Sequence, residues 1–247
     1  MSGHNKWASI KHKKAATDAK KGKVFTRIIR EIVIAAKEGG GSIENNARLR
    51  KVIDDAKEAN MPQDNIKKAI QRGTGELPGL VYEEMVYEGY GPAGVALIVE
   101  VTTDNKNRTA SEIRKMFSSH KGNMGETGCV GWMFEKKGYI TVDKKAAGED
   151  AVMDAALEAG AEDIKNEAGS DVYEIITAPG DVDKVKDALK AKNIAVAGAE
   201  VDMIPQTYIK LTGDDASSML KLMDSLEEHD DVKNVYSNFD IDESEIA

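Results

Sequence analysis

Cations and one tryptophan are interleaved at the start of this chain. Lys6, Trp7, Lys11, His12, Lys13, Lys14, Lys20, Lys21 and Lys23 are followed by Arg27 and Arg30. Lysine ammonium groups suit phosphate oxygens. Trp7 lies ahead of any apolar stripe and can stack on a base, or tuck onto its own helices. Arg27 and Arg30 stand three residues apart, off the apolar face of the helix that follows, and prolong the row. Arg48, Arg50, Lys51, Lys67, Lys68 and Arg72 add cations further on. A second polar cluster, T-T-D-N-K-N-R-T from Thr102 to Thr109, falls between a strand end and a helix start, where free N–H groups and the helix dipole favour an anion. Asn105, Asn107 and Arg108 are its candidate ligands for a phosphate or a partner's carboxylate. Asp104 or Asn105 can equally serve as a plain helix cap.

Other chemistry has little support. Gly89-Tyr-Gly-Pro-Ala-Gly94 matches the dinucleotide fingerprint in spacing, but Val95-Ala-Leu-Ile-Val follows it, and a strand cannot aim a helix N-terminus at a pyrophosphate. A glycine-rich hairpin turn is the better reading. His4, His12, His120 and His229 fall in no metal-ligand spacing, and Cys129, the single cysteine, reads as a small buried hydrophobe. Met116, Met153, Met219 and Met223 fall on expected core faces. No nucleophile elbow or other enzyme signature is present. These absences weaken the case for an enzyme without excluding one, and no metal and no cofactor are expected. The contrary reading, a small-molecule sensor or enzyme, would need polar groups converging in an apolar pocket.

Charge separates along the chain. Residues 1–30 hold nine Lys or Arg and one acid, residues 1–72 carry a net +9, the remainder carries −18, and the whole chain is −9. A basic segment on an acidic body suits a polyanionic ligand held at one face, with counterion release driving binding. The bland alternative is a lysine-rich solvated helix. One cysteine excludes an internal disulfide, no apolar run reaches membrane-spanning length, and the basic start lacks the apolar core of a secretory signal, so cytoplasm is the default.

Periodicity divides the 247 residues further. Val24, Phe25, Ile28, Ile29, Ile32, Val33 and Ala36 mark a helix over about 15–38, ended by Gly39-Gly-Gly41. Further helices are expected over about 45–59, with Leu49, Val52, Ile53 and Ala56 inward, and from Pro62 to Gly73, burying Ile66, Ala69 and Ile70. Residues 2–14 read as an extended arm or one ordered on binding, and 73–80 as a linker. Beyond it the period becomes two. Strands over 139–142, 163–166, 172–177 and 199–204 with helices over 149–159 and 181–191 spell βαββαβ. Flanking them are βαβ pieces, with strands at 95–101, 130–134, 208–211 and 232–236 and helices at 106–119 and 214–228, plus an extra strand at 82–87. The expected class is α+β: an N-terminal three-helix bundle followed by two ferredoxin-like α+β domains, one inserted into the other. The expected domains are 1–75, 80–135 with 206–240, and 138–204.

SGHNKWASIKHKKAATDAKKGKVF, NARLRKVI, ANMPQDNI, VYEGYGPAG, TTDNKNRTASEIRKMF and LEAGAEDI together closely resemble the YebC family, also labelled YebC/PmpR, over essentially the whole chain. Lys13 and Lys106 stand where the family also uses arginine. The resemblance implies three domains, the last inserted in the middle one. It also implies a non-enzymatic cytoplasmic role in gene expression, as a probable DNA-binding transcriptional regulator or, like the mitochondrial translational activators of cytochrome oxidase, on ribosomes, including those stalled on proline-rich sequences. The expected partners are therefore the ribosome and a nucleic acid, rRNA/tRNA or DNA, with no membrane and a monomer as the default. No helix-turn-helix recognition element or RNA-recognition aromatic pair is legible, so backbone and shape recognition is better supported than base reading.

Overall fold

The computed structural model describes residues 18–166 and 170–242. Three helices come first: α1 (Asp18–Gly39), α2 (Ala47–Glu58) and α3 (Gln63–Gly73). Their apolar faces meet in one core that includes Ile32, Val33, Leu49, Ile53, Ile66 and Ala69. Asn46 fixes the corner between α1 and α2: its Oδ1 accepts the Leu49 N–H at 3.0 Å, and its Nδ2 donates to the carbonyls of Ala35 (2.7 Å) and Gly40 (2.8 Å). One buried side chain thus caps a helix N-terminus and satisfies carbonyls at the end of the helix before it.

The chain then forms α+β structure in two compact units. One runs from Trp132 to Tyr208. It contains β4 (Phe134–Asp143), α5 (Glu149–Glu158), β5 (Ala161–Lys165), β6 (Val172–Thr177), α6 (Val182–Ala191) and β7 (Val196–Pro205) in an antiparallel sheet of order β5-β6-β4-β7. That is the ferredoxin-like arrangement. Ile140, Val152, Ile175, Val185 and Leu189 fill its core. Met153, expected inward, is exposed, because Val152, Ala155 and Ala156 take the buried face of α5.

The other unit comprises the described residues up to Gly131 and those from Ile209 onward, and so includes the three helices. Its sheet has the order β3-β1-β2-β9, from β1 (Glu83–Tyr90), β2 (Ala96–Thr103), β3 (Asn123–Met124) and β9 (Val232–Ser237). Helices α4 (Lys106–Ser119) and α7 (Gly213–Glu228) bury Ile113, Phe117, Met219, Leu222 and Leu226 in the core they share with the sheet. Two details depart from expectation. The segment expected as an extra strand is β1, paired along its whole length with β2. Residues 130–134 do not form a strand of this sheet. The Glu88 carboxylate accepts the N–H groups of Gly128, Val130 and Gly131 at 2.7–2.8 Å, which removes these donors from any ladder, and only at Phe134 does β4 begin. Likewise β8 (Ile209–Leu211) pairs in parallel with β10 (Phe239–Ile241), apart from the four-stranded sheet.

Candidate nucleic-acid interface

The basic row can be followed from Asp18. Lys6, Trp7, Lys11, His12, Lys13 and Lys14 lie outside the described residues, and Lys20 and Lys21 fall in the first turn of α1. From Lys23 onward the basic side chains bond to the same unit, Lys23 while still exposed and Arg27 and Arg30 part-buried. Lys23 Nζ donates to the Glu228 carbonyl at 2.9 Å, and Arg27 donates to the Glu227 carbonyl. Arg30 Nη1 reaches the Asp230 carbonyl at 2.6 Å, the Thr102 carbonyl at 3.3 Å and Asp231 Oδ1 at 2.8 Å, with its guanidinium 5.4 Å from the Tyr82 ring centre. Positions 23, 27 and 30 are one helix face, and what they meet is the C-terminal end of α7. There unpaired carbonyls and the negative pole of the dipole favour cations. Burial lowers the Arg27 pKa against the opposing pull of Glu227 and Asp230, and the Nε atoms of Arg27 and Arg30 are buried without hydrogen-bond partners among the described residues.

The second cluster meets the same junction. Asn105 is the N-cap of α4, accepting the Arg108 N–H at 3.1 Å, and Asn107 is exposed in the first turn. The Arg108 guanidinium binds Asp231 at 2.7 Å and Asp104 at 3.0 Å. Those hydrogen bonds raise its pKa above the ordinary arginine value. Asn105 and Arg108 are thus bonded within their own unit while both stay exposed.

Asp231 organises the junction and carries no signal in the sequence. With 2% of its side chain exposed, it accepts from Arg30, Arg108, Thr109 Oγ1 (2.6 Å) and Thr103 Oγ1 (3.2 Å). Burial alone would push its carboxyl up. The bonds from Thr109 and Arg108, with the charges of Arg30 and Arg108, outweigh that and hold it below the usual carboxylate range. Glu88 behaves alike: burial raises it, and the backbone donors of Val130, Gly128 and Gly131 bring it lower than a free glutamate.

Glu112, His229 and Asp231 also converge, their potential ligand atoms lying within 4.8 Å of one another. The bonding argues for an internal network over a cation site. Asp231 already serves two guanidinium groups. The Asp231 N–H donates to His229 Nδ1 at 3.1 Å, which leaves the ring proton on Nε2, where it is given to Glu112 at 2.9 Å. An open groove of about 720 Å³ runs beside this network, its lining including Lys23, Arg108, Lys115, His120, Glu228 and Asp230. Its charges are of both signs.

The glycine-rich turn is a hairpin. Gly91–Val95 joins β1 directly to β2, with Ala93 and Gly94 at φ of 54° and 81°. A Cβ on Gly89 would lie 2.5 Å from the Asn123 carbonyl oxygen, so close strand approach accounts for that glycine without a ligand. Burial and the nearby Glu88 charge raise the Cys129 thiol, opposite to what a nucleophile needs.

Two family models cover the chain: the TACO1/YebC protein N-terminal domain matches residues 5–76, and the TACO1/YebC second and third domain matches residues 82–239. The chain belongs to the TACO1/YebC family. A protein of Endomicrobium trichonymphae named "Probable transcriptional regulatory protein" is 77% identical over 241 residues, 98% of this chain and 96% of its own. A Pelotomaculum thermopropionicum protein of the same name is 58% identical over 245 residues, 98% of this chain and all of its own. A crystal structure of a conserved hypothetical protein from Aquifex aeolicus superposes with a TM-score of 0.80 at 44% identity, covering 92% of this chain and 93% of that one. This TACO1/YebC chain thus shares its fold with a solved relative. Among its described residues no helix is long and apolar enough to cross a membrane.

Proposed function

We propose that this TACO1/YebC chain is a non-enzymatic regulator of gene expression that binds nucleic acid and acts on translating ribosomes. There it would contact rRNA or tRNA and promote elongation through stalling sequences such as proline-rich ones. The observation that carries the reading is the charge split, +9 over residues 1–72 against −18 over the rest. A polyphosphate is attracted to one end of such a chain and repelled by the other. Lys23, Arg27 and Arg30 hold the end of α7, so the phosphate contacts fall to the lysines before them, Lys6, Lys11, Lys13, Lys14, Lys20 and Lys21, with Trp7 stacking on a base. Asn107 remains open to solvent as an accessory contact.

A second reading, a DNA-binding transcriptional regulator, is favoured by the name its relatives carry. Sedimentation with ribosomes across a salt series, beside titration of duplex DNA, separates the two. The ribosomal reading expects salt-sensitive cosedimentation that is lost in Lys11→Glu/Lys13→Glu/Lys14→Glu, with only weak, sequence-indifferent DNA binding. Tight DNA binding with a specific-to-nonspecific ratio of at least about 10³ and no ribosome association would establish the second.

A further inference from the structure

With Lys23, Arg27 and Arg30 engaged at α7, the helical bundle's outward charge lies elsewhere. Arg48 is bound by Glu31, Glu38 and Glu84, Arg50 by the carbonyls of Ile43 and Glu44, and Lys57 by Asp54. Helix α3 differs. It buries Ile66 and Ala69 and turns Lys67, Lys68 and Arg72 to solvent. None of these three side chains makes an ion pair or hydrogen bond among the described residues, a condition shared with Lys37 on α1 and Lys51 on α2, and α3 is where three such cations fall on one helix. Arg72 is nonetheless placed. Its stem lies along Gly79, where an added Cβ would come within 3.2 Å of the Arg72 Cγ and Cδ, so the guanidinium is held outward with part of its ordering cost already met. Lys68 and Arg72 are one helical turn apart, about 6 Å along the axis and on one face, and Lys67 lies about 100° around the helix from Lys68, so the three span the solvent side of α3. The only acid on α3 is Asp64, one turn upstream, and the nearest beyond the helix, Glu76, accepts from Thr74 Oγ1.

We propose that the solvent side of α3, with Lys67, Lys68 and Arg72, is a phosphodiester-binding surface for a single strand of RNA, contacted through its backbone and without base reading. The inference rests on the nucleic-acid reading above and assigns part of that ligand's contact to described residues of α3. Lys68 and Arg72 are spaced for neighbouring phosphates, Lys67 adds a cation on the flank, and α3 has no aromatic for stacking, which is the make-up of a positioning contact. Exposed lysines without partners give up no internal bond in turning to a phosphate, whereas Lys23, Arg27 and Arg30 would have to leave the end of α7 to reach one.

The test uses the full chain and a 20-nucleotide single-stranded RNA, with affinity measured by fluorescence anisotropy over a salt series. In Lys67→Glu/Lys68→Glu affinity should drop at least tenfold at low salt, and the slope of log K against log salt should shrink by about 1.4, at about 0.7 per lost single-strand phosphate contact. The thermal melt should not move. Asp64→Asn, which removes the neighbouring negative charge, should tighten binding two- to threefold. Unchanged affinity and slope in the double variant, with wild type binding normally and Lys11→Glu/Lys13→Glu/Lys14→Glu impaired, overturns the α3 assignment and leaves the nucleic-acid reading standing. A wild type that binds no RNA overturns both. A loss confined to duplex DNA of the same sequence overturns the choice of RNA.

Discussion

Asp231 is the residue on which the junction between α1, α4 and α7 depends. A nearly buried carboxylate shared by two arginines and two threonines is costly to break, because deleting it strands two guanidinium groups in a part-buried site. Asp231→Ala should destabilise its unit by about 3–5 kcal/mol, measured by urea unfolding near neutral pH. Its folded-state pKa is depressed, so its contribution is complete above the unfolded carboxylate value and disappears as pH falls through the folded one. Wild type should therefore lose urea stability on acidification below about pH 4, and Asp231→Ala should lose less over the same interval. Glu88 adds to the wild-type acid sensitivity with the same sign and persists in the variant. Nothing in the run Glu228-His-Asp-Asp231 announced this role. Arg30, Thr103, Arg108 and Thr109 lie more than 120 positions upstream of Asp231, and only the fold brings them together.

The helices followed their apolar period closely, because an amphipathic stripe has one way to be buried. The end of α3 shows how tight the resulting contact is. A Cβ at Gly73 would lie 2.4 Å from the Val33 carbonyl oxygen and 2.7 Å from the Ala36 Cβ, both on α1. Alanine is the better helix former by about 1 kcal/mol. Overpacking two helix backbones opposes that gain and is the larger effect. Gly73→Ala should destabilise the helical bundle by about 1–3 kcal/mol in chemical denaturation rather than stabilise it. Strands were less legible where a side chain competed for the backbone. Val130 to Phe134 is apolar enough for a strand, yet Glu88, about forty residues upstream, claims its first N–H groups and converts the segment to a loop and a short 3₁₀ turn. A pattern reading sees the side chains of 130–134 and has no view of the carboxylate that displaces the ladder.

Across the whole molecule, one compact unit is cored around Ile140, Ile175 and Leu189, and the other holds two clusters, one around Leu97, Phe117 and Leu222 and one around Ile32, Leu49 and Ile66. Cooperativity extends only as far as shared packing, so two units with disjoint cores need not melt together. Differential scanning calorimetry is expected to resolve two transitions, with a calorimetric enthalpy exceeding the van't Hoff value. Asp231→Ala should lower only the one belonging to the unit that holds α1, α4 and α7. A single two-state transition would show the units to be energetically coupled. The fold class, including the insertion of one α+β element set within another, was legible because βαββαβ between two incomplete βαβ pieces leaves unpaired strand edges unless the flanking pieces join. How those pieces join was not. The strand at 83–90 enters the sheet beside β2, and 209–211 leaves it to pair with 239–241.

The sequence by itself determined the helical periods, the βαββαβ order, the charge division and the family, since all of these are properties of local pattern and composition. It also placed a cation at every position of the basic row, but it could not say which cations are available. That was decided by tertiary structure. A charge is available or committed according to what lies within about 3 Å of it. The groups that commit Lys23, Arg27 and Arg30 are the carbonyls ending a helix some 200 residues away, whereas Lys67, Lys68 and Arg72 face solvent because no such partner reaches α3 among the described residues.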